Sequence, residues 1–174
     1  MITRRVVSIV ALIVALFAGV TAAPASAEQA DPSDLSYHYR YDLWVETAYN
    51  PEHLASTVAG RLTAYFPFDS NCTYLPQVGQ RCELYSVPGF PLFGTTNPVM
   101  VVDRTPTSWT FRSLPGHTEG ADRYITFRFL YGRFGYELDV EAWGPWTLSA
   151  SLTVSGGAAR AVWQRFADNI SRFL

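Results

Sequence analysis

The side chains with the strongest claim to chemistry in this 174-residue sequence are His117 and Glu119. His117 follows a Pro115-Gly116 turn, and an imidazole titrating near pH ~6.5 with an acid two residues on has the makings of a general base and its partner. The plainer expectation is a turn histidine bonded to its own loop, because no nucleophile or metal ligand stands near it in sequence. His38, Arg40, Asp42 and Glu46 share one face of an alternating segment; they could line a polar pocket, but a solvated strand face is expected. Glu137, Asp139 and Glu141 form an acidic ladder. Strand carboxylates two residues apart run along a face and do not converge as calcium requires, so this too is expected to face water.

Other chemistries lack their residues. There is no G-x-S-x-G elbow, H-E-x-x-H pair, P-loop or G-x-G-x-x-G. The three histidines are scattered, so no metal site is expected, and no cofactor is implied. All 13 basic residues are arginine, which excludes Schiff-base chemistry. A formal charge of −2 and a pI near 5.9 argue against a nucleic-acid partner. A non-catalytic role is therefore expected, with His117 and Glu119 the candidates if there is catalysis.

What the chain has in quantity is aromatic rings, 15% of its residues. Tyr39, Tyr41, Phe111, Phe127, Phe129, Trp163 and Phe166 fall at inward-facing positions of the segments described below. They are the ingredients of a core and equally the lining of a ligand cavity.

The N-terminus is an address. Arg4-Arg5, the apolar run Val6 to Val20 and Ala25-Ser26-Ala27 form a secretory signal peptide over residues 1–27, with cleavage expected after Ala27. The run is too short to span a bilayer, so no membrane span is expected in the mature form. Cleavage removes two arginines and no acid, which takes the formal charge from −2 to −4. Export permits a disulfide, and Cys72 and Cys82 are the two available cysteines. Residues 28–35 read as a loose tail and residues 36–174 as one domain.

Within that domain Tyr37 to Glu46 alternates as a half-buried strand. Asn50-Pro51 starts a helix with Leu54, Val58, Leu62, Tyr65 and Phe66 on one stripe, stopped by Pro67. After an irregular stretch with a short strand at Leu84 to Val87, strands are expected at Val99 to Asp103, Ser108 to Leu114, Arg123 to Tyr131, Tyr136 to Trp143 and Trp146 to Val154. Gly132 to Gly135 is a hairpin turn. If Tyr131 pairs with Tyr136, Arg128 faces Asp139 as an exposed ion pair and Phe129 faces Leu138 in the core. Gly156-Gly157 precedes a final helix whose stripe is Ala159, Val162, Trp163, Phe166, Ile170 and Phe173. This predicts an α+β fold: a curved antiparallel sheet packed on a long C-terminal helix, with one helix after the first strand.

That order resembles the helix-grip fold of the START-like (SRPBCC) superfamily. Val101-Val102-Asp103, Trp109-Thr110-Phe111, Leu114-Pro115-Gly116-His117, Ile125-Thr126-Phe127 and Val140-Glu141-Ala142 resemble the C-terminal part of an uncharacterised family of actinobacteria and plants. The resemblance implies a hydrophobic cavity between sheet and last helix; it implies no established reaction and no catalytic residue. The expectation is thus an exported, non-catalytic domain holding a hydrophobic small molecule in a cavity of a few hundred Å³. The alternatives are a module for an extracellular protein partner, using the Cys72–Cys82 loop and Phe90-Pro91-Leu92-Phe93, and a cyclase- or hydrolase-like enzyme using His117.

Overall fold

The alternation of the first strand decides which way the sheet faces. In β1 (Ser36–Trp44), Tyr37 and Leu43 are buried, whereas His38, Arg40, Asp42 and Trp44 are exposed. The structure, a computed structural model, describes residues 36–85, 96–133 and 135–174. Residues 1–35, where a signal peptide and a loose tail are expected, and Phe90 to Phe93 and Phe134 lie outside the described residues.

The helix start is where Asn50-Pro51 places it. The Asn50 carboxamide accepts the His53 N–H at 2.9 Å and Pro51 opens α1 (Pro51–Gly60). One continuous helix was expected; the chain breaks at Arg61 (φ −141°, ψ 52°) and resumes as the single turn α2 (Leu62–Tyr65). The apolar stripe survives the break, because Leu54, Val58, Leu62, Tyr65 and Phe66 are all buried.

Seven strands then complete one antiparallel sheet in the order β1-β7-β6-β5-β4-β3-β2. Its members after β1 are β2 (Asp69–Ser70), β3 (Arg81–Tyr85), β4 (Thr96–Arg104), β5 (Ser108–Ser113), β6 (Tyr124–Gly132) and β7 (Gly135–Pro145). The β6–β7 register pairs Tyr131 with Tyr136, Arg128 with Asp139 and Phe129 with Leu138. Phe129 and Leu138 are core, but Tyr131, at the hairpin end, is 72% exposed.

The acidic ladder departs from the expected solvent face. The Asp139 side chain is only 1% exposed, receiving Arg40 Nε at 2.7 Å and Arg128 Nη1 at 2.8 Å. Arg128 also donates to Glu141, whose other oxygen meets His38 Nε2 at 3.0 Å. Arginine stems from both neighbouring strands cover Asp139, so a position on the outer face is nonetheless buried.

Trp146 to Val154, expected as a strand, instead contains the helix α3 (Leu148–Ser155). Both edges of β7 are already taken by β1 and β6, so the chain leaving Pro145 has no adjacent edge to join. Thr147 caps the helix instead, accepting the Ala150 N–H at 3.2 Å. The misleading alternation arose because Leu148 and Leu152 lie on the exposed face, and the buried positions are Ala150 and Thr153.

Gly157, at φ +74°, turns the chain into α4 (Ala158–Phe173). Ala159, Val162, Trp163, Phe166 and Ile170 bury against the sheet, while Phe173, expected on the same stripe, is 59% exposed at the helix end. The result is a seven-stranded curved antiparallel sheet packed on a long C-terminal helix, an α+β fold.

A disulfide fastens the irregular segment before β3. Cys72 and Cys82, ten positions apart with Cα atoms 5.8 Å apart, are bonded, and Cys82 is buried in the core. The same segment is tied at its middle, where Leu75 N–H donates to the Ala59 carbonyl at 2.7 Å. Replacing both cysteines by alanine is expected to lower the unfolding free energy by about 2–3 kcal/mol in urea melts, the entropy of a loop this short. An unchanged midpoint would show that the bridge does not constrain the chain.

Candidate functional site

The inward-facing series of three central strands each end in a polar residue at the same end of the sheet. On β4 the series runs Val101, Val99, Asn97, and on β5 it runs Trp109, Phe111, Ser113. On β6 it runs Phe129, Phe127, Ile125 and then, one step before the strand, Arg123. Ladder pairing sets these beside one another: Val99 with Ser113, Val101 with Phe111, Phe111 with Ile125. Over this end lie Ala159, Val162 and Trp163 of α4 and Thr153 of α3. Between sheet and helices is a partly open cavity of about 70 Å³. It is smaller than the few hundred Å³ expected, because Phe66 and Phe68 from the chain after α2 also fill the space beneath Trp163.

One end of the cavity is aromatic. Trp163 packs edge-on against Phe127 at 5.1 Å, and its indole N–H donates to the Tyr39 hydroxyl at 2.9 Å. That bond satisfies a buried indole and ties β1 to α4 across the cavity wall. Burial pushes the Tyr39 hydroxyl well above its ordinary pKa, so it remains a neutral phenol.

The other end is polar and rigid. It is carried by the β5–β6 connection, in which His117 N–H donates to Leu114 O (3.1 Å) and Gly120 N–H to His117 O (3.0 Å). This connection is bound on all sides. Thr118 N–H donates to Asn97 Oδ1 (3.1 Å), Ser113 Oγ to Gly120 O (2.8 Å), Thr147 Oγ1 to Glu119 O (2.7 Å) and Ser149 Oγ to Thr118 O (3.1 Å). His117 Nδ1 accepts the Glu119 N–H at 3.2 Å, which leaves the proton of the neutral ring on Nε2. Burial lowers the His117 pKa from 6.5 to about 4. Burial raises Glu119 from 4.5 to about 7, against a smaller opposing effect of its hydrogen bond with Thr153. Between these values both side chains are uncharged.

Arg123 completes this end. It is 5% exposed, with Cζ 3.5 Å from the Tyr37 ring centroid and Nη1 donating to Pro145 O at 2.8 Å. Glycine is required beside it: Gly144 has φ +152°, and a Cβ there would stand 2.8 Å from Arg123 Cα. Burial lowers the Arg123 pKa to about 10.

Of the residues singled out in the sequence, Tyr39, Phe111, Phe127, Trp163, His117 and Glu119 line the cavity. Tyr41, Phe129 and Phe166 do not. Tyr41 lies under Arg160, Phe129 packs on Trp109, and Phe166 packs on Phe66 and Phe127. The His38 face is on the outer side of the sheet, away from this site. On the disulfide loop Tyr74 and Val78 are exposed. Asn97, Ser113, Arg123 and Thr153 were missed. Strand parity could have found three of them, because each continues an inward apolar series; Thr153 was hidden by the mistaken strand. No group of three or more histidine, cysteine or acidic side chains suited to a metal occurs among the described residues.

No protein-family model matches the chain, and neither does any curated protein. Solved structures do. A protein from Mesorhizobium loti has a TM-score of 0.57 at 15% identity, covering 78% of this chain and 95% of its own. The Aha1 dimer from Colwellia psychrerythraea gives 0.52 at 12%, covering 79% and 98%. A norcoclaurine synthase point mutant from Thalictrum, bound to a transition-state analogue, gives 0.50 at 14%, covering 79% and 91%. The chain has the helix-grip fold of these proteins, and at such identities the likeness concerns the fold alone.

The two buried titrating groups pull stability in opposite directions with pH. His117, neutral in the folded protein down to about 4 against 6.5, makes stability rise with pH across that window. Glu119, protonated up to about 7 against 4.5, makes stability fall as pH rises from 4.5 to 7. In urea unfolding against pH, Glu119→Gln should therefore gain on the wild type from 4.5 to 7, and His117→Asn should lose on it from 4 to 6.5. Profiles parallel to the wild type would show that neither group is perturbed.

Proposed function

We propose that the chain is an exported, non-catalytic domain that binds a hydrophobic small molecule between the sheet and α4. The observation that supports this most is the partly open cavity lined by Tyr39, Phe111, Phe127 and Trp163. Its volume of about 70 Å³ sets the scale of what it encloses. An apolar cavity of about 150 Å³ holds benzene, so this one takes the end of a ligand, the remainder passing through the opening. The Cys72–Cys82 bridge accords with an oxidising compartment, and no described helix is long and apolar enough to cross a membrane. Kinship with the actinobacterial and plant family rests on Leu114-Pro115-Gly116-His117, the turn that carries His117 to the cavity wall.

A second reading, general acid–base catalysis, is favoured by one specific observation: Glu119, with a pKa of about 7, and neutral His117 share the wall of a cavity. A carboxylic acid poised near neutrality can give or take a proton at ordinary pH. The two readings separate on turnover: in the second the wild type consumes its ligand and Glu119→Gln does not, and in the first neither does.

The binding reading is tested by titrating toluene into the protein and following methyl resonances by NMR. Saturable shifts are expected at Val99, Ile125 and Val162, and Ala159→Leu, which adds a side chain to the cavity wall, should abolish them. Shifts that are absent, or scattered over the surface and insensitive to Ala159→Leu, would overturn it.

A further inference from the structure

An apolar ligand alone leaves the polar end of the cavity unexplained. Among the described residues three buried side-chain nitrogens lack a hydrogen-bond partner: Asn97 Nδ2, Trp109 Nε1 and Arg123 Nη2. Asn97 and Arg123, 3% and 5% exposed, both line the cavity. Leaving a buried donor unpaired costs about 1–3 kcal/mol, more when it is charged, so two on one small cavity point to a group that they serve.

Their geometry says which group. Thr118 N–H engages Asn97 Oδ1, which fixes the amide and leaves Nδ2, a donor, as its free end. Arg123 has committed Nη1 to Pro145 O and its face to Tyr37. Its Nε lies within ion-pair reach of Glu119 Oε2 at 3.8 Å, longer than a hydrogen bond, and Nη2 has no hydrogen-bond partner. The free groups are donors only, one carries a positive charge, and a buried charge needs a partner.

We infer that the ligand of this cavity is an apolar carboxylic acid, its carboxylate held by Arg123 Nη2 and Asn97 Nδ2 and its hydrocarbon set against the Tyr39–Trp163 wall. This rests on the proposed binding function and narrows it to a chemical class. Glu119 is the gate on charge. Facing it are Arg123, His117 of its own loop, Thr153 from α3 and Tyr39 from β1. While Glu119 is protonated, Arg123 is the charge awaiting a partner at that end. Once Glu119 ionises, near pH 7, it competes with the ligand for that arginine. Binding of the acid therefore takes up a proton there and weakens as pH rises.

The test is calorimetric titration of the purified protein with benzoate and butyrate against benzyl alcohol and butanol, neutral molecules of like size. At a pH of about 6 the acids should bind at least about tenfold more tightly than the alcohols, the scale of a charge-assisted pair. Arg123→Met should bring the acids down to the level of the alcohols, and Asn97→Leu should weaken the acids more than the alcohols. From pH about 6 to about 8.5 the wild-type affinity for the acids should fall about tenfold, and in Glu119→Gln it should hold. Equal binding of acids and alcohols would overturn the carboxylate assignment and leave the cavity reading standing, whereas binding of neither would overturn both. If Arg123→Met does not fold, Asn97→Leu and the pH profile of Glu119→Gln decide, and a fall with pH that persists in Glu119→Gln overturns the assignment.

Discussion

The constraint on which the site depends is an arginine on the inward face of the sheet. Arg123 continues the series Phe129, Phe127, Ile125, and at 5% exposure its charge lies inside the fold. Everything around it accommodates that charge. The Tyr37 ring lies under the guanidinium, Pro145 supplies a carbonyl, and Gly144 gives up its side chain so that the two backbones can approach. Glu119 stands close without forming a hydrogen bond, in a connection pinned by Thr147, Ser149 and Asn97. A hydrophobic residue at this position would be the simpler choice for stability alone, since a buried charge has to be desolvated. The cost is sensible if the charge has a ligand to meet.

The aromatic density of the chain divides by position along the strands. Phe129 and Trp109, toward the hairpin end, pack against each other as solid core. Phe127, Tyr39 and Trp163, one step nearer the polar end, enclose space. The same residue types thus make core at one end of the sheet and cavity wall at the other. The difference is set by what meets them: close-packed rings on one side, and on the other the short α3, with its small Ala150 and Thr153, and the loop of His117. The outer face follows its own rule, with Asp139 buried under two arginine stems as the centre of an ion network remote from the cavity.

Periodicity made much of this legible. The strand alternations, the Asn50-Pro51 helix start, the α4 stripe and the β6–β7 register were all readable, because each is a local pattern with a fixed period. What failed was of two kinds. Trp146 to Val154 alternates like a strand and folds as a helix where both edges of β7, the strand it leaves, are already paired, which is a matter of topology. The helix break at Arg61 comes directly after Gly60, a residue type unfavourable in a helix interior. The site was half legible: the aromatic wall and His117 could be named, and the polar end could not. Arg123 and Asn97 were visible in principle as polar residues on inward parity. Their meaning depends on which neighbours satisfy them, and that only the assembled structure shows.

The account stands or falls on the polar end of the cavity being a ligand's anchor. The direct measurement is a high-resolution crystal structure of the protein grown with saturating benzoate. The account predicts the carboxylate on Arg123 Nη2 and Asn97 Nδ2, with the ring reaching Tyr39 and Trp163. A cavity that holds only ordered water on those two nitrogens under the same conditions would contradict it.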